Sequence, residues 1–469
     1  MELTAREIAE ITGGTVVAGD PEARATSFAI DTRVLEVGSC FVALVATRDG
    51  NEFAAEAFGR GASIAVVSRD LPAPPEVGTT VRVVDGYDAL ARLGTAARAR
   101  LAHATVVGIT GSTGKTGTKD LTAAAVAGKL PVHASPGNFN NEAGLPLTLL
   151  HAPHSAEVVV LEMGARATGN IAELCAIARP TVGVVTNVGL AHAGPLGGRR
   201  GVARVKGELV ESLPSHGLAV LNAGDAATGE LARRSGARVL LVAVSDTALP
   251  STSAEVVASM IELGDELRPS FLLESPWGAA RVRLDVRGVH QVANAAQAAG
   301  VALSLDVPLE DVVAGLESVS PTPWRMQVER AGSGALVIHD AYNASPAAMA
   351  AALHSLASVT DARRRVAVLG EMLELGDHAD EEHAAVGQLA AKNGVDVLVA
   401  VGQGSRVLAR AARDSDPPVA LVLETADADE AVVAIRGLGI GAGDAVLVKG
   451  SRAVGLELVA DDLLERATS

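Results

Sequence analysis

The chain alternates short, continuous apolar runs with longer segments of mixed polarity. ATVVGIT (104–110), EVVVLE (157–162) and TVGVV (181–185) are apolar at nearly every position, not every second one, as expected of strands covered on both faces. The segments between them place apolar residues at three- and four-residue spacing, which predicts helices. Strand and helix in alternation predict an α/β protein built on doubly wound parallel sheets.

Three sections follow from the pattern. Residues 1–100 form a small α/β unit: TAREIAEITGG predicts a helix with Thr4 as N-cap and Gly13-Gly14 as its stop. CFVAL, SIAVV and TVRVV predict strands, FAAEAFGRGA a helix and LPAPPEVG (71–78) a loop. Residues 101–320 form a larger central unit, with VASMIEL and ARVRLDVRG as added strands and QVANAAQAAGVALSL as a helix. SPTPWR (320–325) is a proline-punctuated linker, and residues 321–469 form a second small α/β unit with four buried strands.

Composition narrows the function. The formal charge of −16 argues against a nucleic-acid or anionic-membrane binder. Two distant cysteines exclude a disulfide framework and a cysteine zinc site, and suit the reducing cytoplasm. No apolar run approaches the ~18 residues of a membrane span, and the N-terminus carries no secretory pattern. With only 2 Trp, 2 Tyr and 6 Phe, the cores must be built from Ala, Val and Leu. Of 39 basic residues six are lysines, so each lysine asks for a reason that arginine would not meet.

The strongest chemical signal is Gly111-Ser112-Thr113-Gly114-Lys115-Thr116 between a predicted strand and helix. Backbone N–H groups of such a loop cradle phosphate, Lys115 neutralises its oxygens and the Thr116 hydroxyl suits Mg²⁺. Glu162 and His192 follow the next strands, as metal ligands or as an ordinary helix cap and loop histidine. Lys206 is either a solvated helix cation or an amine able to take up CO₂ as a carbamate, which arginine cannot do. Arg325 is a linker charge or a phosphate contact, and Asp340 a helix cap or a ligand contact, with capping by Asn343 or Ser345 expected in either case. Asn294 is a polar group on an otherwise apolar helix. Lys449 and Arg452 in KGSR meet a carboxylate of a substrate, or Lys449 offsets the acidic segment VADDLLE.

Together DTR (31–33), GSTGKT, GNFNNEAGLPLTLL (137–150), EMGA (162–165), NVGLAHAG (187–194), KGE (206–208), HQVAN (290–294), HDAYNASP (339–346), LGEMLELG (369–376) and KGSR (449–452) resemble the Mur ligase family along essentially the whole chain. The resemblance is to the member that adds D-alanyl-D-alanine to UDP-N-acetylmuramoyl-tripeptide, and the DNPR motif of the sibling that adds a diamino acid is missing. It implies a three-domain architecture: a UDP-sugar domain, an ATP-binding domain, and a C-terminal domain that closes on nucleotide and acceptor. It also implies a cytoplasmic, monomeric enzyme of cell-wall synthesis that uses ATP and two Mg²⁺ ions.

By the same resemblance Gly111 to Thr116, Asn294, Arg325, Asp340 and Asn343 contact ATP. Thr116, Glu162, His192 and a carbamylated Lys206 serve the metals, with Lys115, His192, Lys206 and Arg325 as the catalytic set. Asp31, Thr32, Arg33, Asn138, Asn141 and Glu142 contact the UDP-sugar substrate. Gly117 departs from the family's usual Thr or Ser, and Ser345 from its usual Asn. Two rivals stay open: a ligase of this fold acting on another amine, and a nucleotide-binding partner subunit without catalysis.

Overall fold

The computed structural model describes residues 1–71, 77–189, 196, 198–245 and 254–465. Among them the strands form three main sheets and a two-stranded ribbon. The first sheet runs Thr15–Ala18, Thr79–Arg82, Ile64–Val67, Cys40–Val42, Phe28–Ala29, parallel except at the Thr15–Ala18 edge. The expected opening helix spans Ala5–Thr12; Thr4 and Glu7 cap each other's backbone N–H groups, and Gly13 ends it in the left-handed conformation.

The central sheet has nine strands: Gly278–Arg283, Pro269–Ser275, Val256–Leu263, Arg238–Val244, Leu218–Asn222, Val182–Val185, Thr105–Thr110, Val158–Glu162, Val132–Ala134. The first two are antiparallel to their neighbours and the rest are parallel: the expected strand VASMIEL continues the parallel sheet, and Pro269–Ser275, not expected from sequence, joins it antiparallel to the strand in ARVRLDVRG. Thr105–Thr110 lies between Val158–Glu162 and Val182–Val185, with Ile109 opposite Glu162 and Thr110 opposite Val185. That register brings the segments after all three strands to one point, where parallel sheets place ligands.

The C-terminal sheet orders Gln327–Arg330, Leu336–His339, Asp444–Lys449, Arg364–Gly370, Val397–Val401, Leu421–Thr425, antiparallel only at its first strand. Two of these, Gln327–Arg330 and Leu421–Thr425, come in addition to the four expected from sequence.

Two packing features tie the units together. The helix Gly86–Arg100 buries Leu90, Leu93 and Ala97 in a core shared with Leu145, Leu149 and Ile171 of the central unit. Arg98 fastens it further, donating through Nε to the Ala178 carbonyl at 2.8 Å. Leu267, from a short turn before Pro269–Ser275, is buried among Met326, Val328, Leu336 and Ile338 of the C-terminal core.

Candidate active site

The glycine loop is held open by its neighbour strand. Ser112 N–H donates to the Asn187 carbonyl at 3.1 Å and Thr113 N–H to Asn187 Oδ1 at 3.0 Å. Thr186 Oγ1 donates to the Thr113 carbonyl at 2.6 Å. Glycine is required at two positions. A Cβ on Gly111 (φ +153°) would lie 1.8 Å from Thr186 Oγ1, and one on Gly114 (φ +80°) 2.5 Å from Asn294 Oδ1. Gly114 starts the helix Lys115–Ala127 and no side chain caps it, leaving first-turn N–H groups for an anion. The Lys115 ammonium is folded onto the Gly111 and Ser112 carbonyls at 2.8 and 3.3 Å. Burial lowers its pKa, Glu162 opposes the shift and Arg325 adds to it.

Gly117, where the family has a hydroxyl residue, also has a packing reason: its Cβ would meet Gln291 Oε1 at 3.0 Å and Asn294 Nδ2 at 3.1 Å. The helix His290–Ser304 thus lies directly against the loop, with Asn294 donating to Gln291 Oε1 at 2.8 Å.

Glu162 is 2% exposed and accepts from Thr116 Oγ1 and from Asn140 Nδ2, each at 2.8 Å. Carboxylate and hydroxyl oxygens are the donors Mg²⁺ prefers, and it completes its shell with water and phosphate. Among the described residues no cluster of three His, Cys, Asp or Glu forms. Asn140 and Asn187 were not singled out by the sequence, although both sit in motifs quoted for the resemblance.

Lys206 lies on the helix Gly198–Glu211 with 1% of its surface exposed. Burial first, then the Lys115 charge, push its pKa down to about 7, against Glu208 and Glu162. An amine at that value is substantially neutral near pH 7, the form that attacks CO₂. Glu208 turns elsewhere and accepts from the N–H groups of Gly169 and Ala172 at 2.7 and 3.1 Å, capping the helix Asn170–Ala178.

The C-terminal sheet faces the same cleft, about 1290 Å³ in volume. Arg325 lies over the Tyr342 ring at 3.9 Å, and its Nε is buried with no partner among the described residues. Asp340 accepts from Met326 N–H at 3.1 Å and from Lys449 Nζ at 2.6 Å. Lys449 is 2% exposed and also donates to the Asn343 carbonyl at 2.8 Å. Its ammonium is therefore turned to Asp340, not to the acidic segment VADDLLE (459–465), while Arg452 pairs with Glu457, just ahead of that segment, at 2.6 Å. Asn343 and Ser345 do not cap the following helix, Pro346–Ala357, with their side chains; Asn343 Oδ1 accepts from Ala344 N–H instead.

The cleft collects Lys115, Thr116, Glu162, Lys206, Asn294, Arg325, Asp340, Asn343, Lys449 and Arg452, and at its rim Asn138, Asn141 and Glu142. Asn141 accepts from Gly144 N–H at 2.9 Å, at the start of the helix Gly144–His151. Asp31, Thr32 and Arg33 are not among the residues lining it. Arg33, 81% exposed, holds the Asp31 carboxyl down to about 2, and Thr32 donates to Glu56 at 3.0 Å. His192 lies outside the described residues.

Residues 109–302 match the model described as Mur ligase middle domain, and residues 324–452 that described as Mur ligase, glutamate ligase domain. UDP-N-acetylmuramoyl-tripeptide--D-alanyl-D-alanine ligase of Mycobacterium tuberculosis (strain ATCC 25618 / H37Rv) is 40% identical over 506 aligned positions, covering 99% of this chain and 98% of that one. The chain belongs to the Mur ligase family. The protein of the same name from Escherichia coli (strain K12) is 32% identical to this Mur ligase over 476 positions, covering all of both. A crystal structure of MurF from Acinetobacter baumannii superposes with a TM-score of 0.88 at 30% identity over 99% of each chain. MurF ligase from Thermotoga maritima, solved in complex with ADP, superposes at 0.79 with 28% identity, covering 94% of this Mur ligase and 97% of that chain.

Proposed function

We propose that this Mur ligase joins D-alanyl-D-alanine to UDP-N-acetylmuramoyl-tripeptide at the expense of ATP, forming the pentapeptide precursor of peptidoglycan. The observation that carries the reading is one cleft in which the phosphate-loop residues Lys115 and Thr116 face Arg325. The substrates rest on the full-length likeness to ligases named for them.

In the first step the terminal carboxylate oxygen of the tripeptide attacks the γ-phosphorus of ATP, the bond to the β-phosphate oxygen breaks, and an acyl phosphate and ADP result. Lys115 leaves its loop carbonyls for the phosphate oxygens, and the free first-turn N–H groups hold the phosphates. Arg325, its Nε unpartnered, meets the same developing charge. In the second step the dipeptide amine attacks the acyl carbon. The tetrahedral intermediate expels phosphate and the amine gives up its proton. Asn294 and Asn343 line the cleft, and Lys449, paired with Asp340, holds the loop that carries Asn343.

Thr116, Glu162, His192 and carbamylated Lys206 hold two Mg²⁺ ions in this reading; His192 is assigned from its motif alone. Bound there, Mg²⁺ neutralises the transferring phosphoryl group. Residues 1–100 take the UDP-sugar through Asp31, Thr32 and Arg33, with Asn138, Asn141 and Glu142 at the rim. Residues 101–320 take ATP, and residues 321–469 close on nucleotide and acceptor as a single chain. The two unpaired cysteines fit work in the cytoplasm, and no helix of the described residues is long and apolar enough to cross a membrane.

The test is ADP release with UDP-N-acetylmuramoyl-tripeptide as donor and D-alanyl-D-alanine, D-alanine, lysine or diaminopimelate as acceptor. Strict dependence on the dipeptide is expected. Turnover with a single amino acid would reassign the acceptor, and ATP binding without turnover would leave the non-catalytic rival.

A further inference from the structure

The chain has only 2 Trp and 2 Tyr, and one of each lies where the linker enters the C-terminal sheet, each beneath an arginine. Arg325 stacks on Tyr342 at 3.9 Å, and Arg452 stacks on Trp324 at 4.2 Å. Adjacent linker residues therefore engage the C-terminal loops with opposite roles: Arg325 brings the cation to an aromatic ring, while Trp324 brings the ring to a cation.

The backbone between them is in an unfavourable conformation. Trp324 (φ +60°) and Met326 (φ +50°), on either side of Arg325, occupy the left-handed region, which bulky residues keep only when their surroundings enforce it. Trp324 N–H donates to Gln327 Oε1 at 3.1 Å and its carbonyl accepts from Tyr342 N–H at 3.1 Å. Met326 N–H donates to Asp340 Oδ1 at 3.1 Å. The indole is covered by Arg452, which Glu457 anchors at 2.6 Å. A left-handed residue just before Arg325 fixes the direction in which the next side chain leaves the chain. Without Arg452 the indole keeps only the His339 ring, 6.2 Å away, beside it, and the turn loses one of the contacts that hold it in this conformation.

We propose that Arg452 and Trp324 are positioning residues, a stacked pair that locks the left-handed turn and thereby holds Arg325 in the cleft. This assignment rests on the reading of Arg325 as the group that meets the transferring phosphoryl. It also directs Arg452 away from the carboxylate of the acceptor.

The experiment uses the full chain and follows ADP release. Trp324→Ala and Arg452→Ala each lower kcat about threefold to fivefold, the scale of losing a cation–π contact with an exposed arginine, with the KM for D-alanyl-D-alanine within about twofold of wild type. The double variant is no slower than the worse single one, because the two residues act as one unit. Trp324→Phe, which keeps an aromatic face, retains most of the activity. A rise of about tenfold in the dipeptide KM for Arg452→Ala at unchanged kcat would make Arg452 an acceptor contact and overturn the proposal, and so would losses that multiply in the double variant.

A readout without turnover separates this from folding and from the proposed reaction. With Trp277→Phe, Trp324 is the only indole in the chain. Arg452→Ala then shifts its emission in the ligand-free protein while the melting temperature holds, and weakens binding of a non-hydrolysable ATP analogue as Arg325→Ala does. Unchanged emission, or unchanged analogue affinity, would overturn the proposal. A wild-type chain that released no ADP with any acceptor would defeat the proposed reaction and leave these two measurements to decide the positioning.

Discussion

Thr116 donates its hydroxyl to the Glu162 carboxylate at 2.8 Å across 46 positions of sequence. The contact follows from strand order: Thr116 lies in the first turn of the helix after Thr105–Thr110, and Glu162 ends the adjoining parallel strand. Glu162→Gln keeps the size of the side chain and removes the charge a divalent cation needs. Its ADP release should fall at least ~100-fold, partly restored by raised Mg²⁺. A titration of rate against Mg²⁺ that overlays the wild-type curve would remove Glu162 from the metal site.

Lys115→Met should abolish ADP release, with a loss on the order of 10³-fold, since no other ammonium lies in the loop. The melting temperature should stay within a few degrees, because the lysine makes only two bonds to its own loop. Near-normal turnover would end the phosphate-loop assignment.

Gly111→Ala acts differently on the same loop. Its added methyl would sit 1.8 Å from Thr186 Oγ1, so the loop and its neighbour must separate. Both stability and nucleotide affinity should drop, by about 1–3 kcal/mol of stability for overpacking at a glycine-only conformation. Calorimetry with and without ADP distinguishes the two losses.

Lys206 gives a pH dependence with a defined sign. Its folded-state pKa of about 7 lies below the ordinary 10.5. Between those values the unfolded chain binds a proton that the native site refuses, so stability declines as pH falls from 10.5 towards 7. Below pH 7 the full penalty applies, about 5 kcal/mol at ~1.4 kcal/mol per pH unit. Carbamate forms only on the neutral amine, so activity should fall as pH drops through 7 and fall further in CO₂-free buffer, with recovery on adding bicarbonate. Lys206→Arg should be nearly inactive in both buffers. Indifference of the wild type to CO₂, together with an active Lys206→Arg, would refute the carbamate.

Both cysteines should be inert in the native protein. Burial pushes the Cys175 thiol up to about 12 and raises that of Cys40 still further from reactivity. A chromogenic disulfide reagent should titrate neither thiol until denaturant is added, and rapid native labelling would contradict the packing around them.

The sequence was most legible where one residue type has one use. GSTGKT announced its loop because the left-handed and close-approach positions admit only glycine. Thr4 announced a helix start because Glu7 completes the reciprocal cap. Lys206 was marked by the scarcity of lysine, and the structure buries it. Less legible were residues whose partners are set by tertiary register. Asn140 and Asn187 act on Glu162 and Thr113 because neighbouring strands bring them there, and no local spacing encodes that. For Lys449 the sequence offers a substrate carboxylate or the segment VADDLLE, but not its Asp340 partner, which lies 109 positions away and comes near only because the two strands run side by side. The helix Gly86–Arg100 escaped the sequence reading, which assigned no element after TVRVV in that section; its apolar face is buried in a core shared with the central unit.

The burial of Leu267 in the C-terminal core gives that lobe a second attachment besides the linker at Met326. A body held at one point can tumble about any axis, whereas one held at two can turn only about the line through them. Such a contact restricts the directions in which the lobe can turn. Arg325 adjoins one of the two anchors, so a turn about them moves it little.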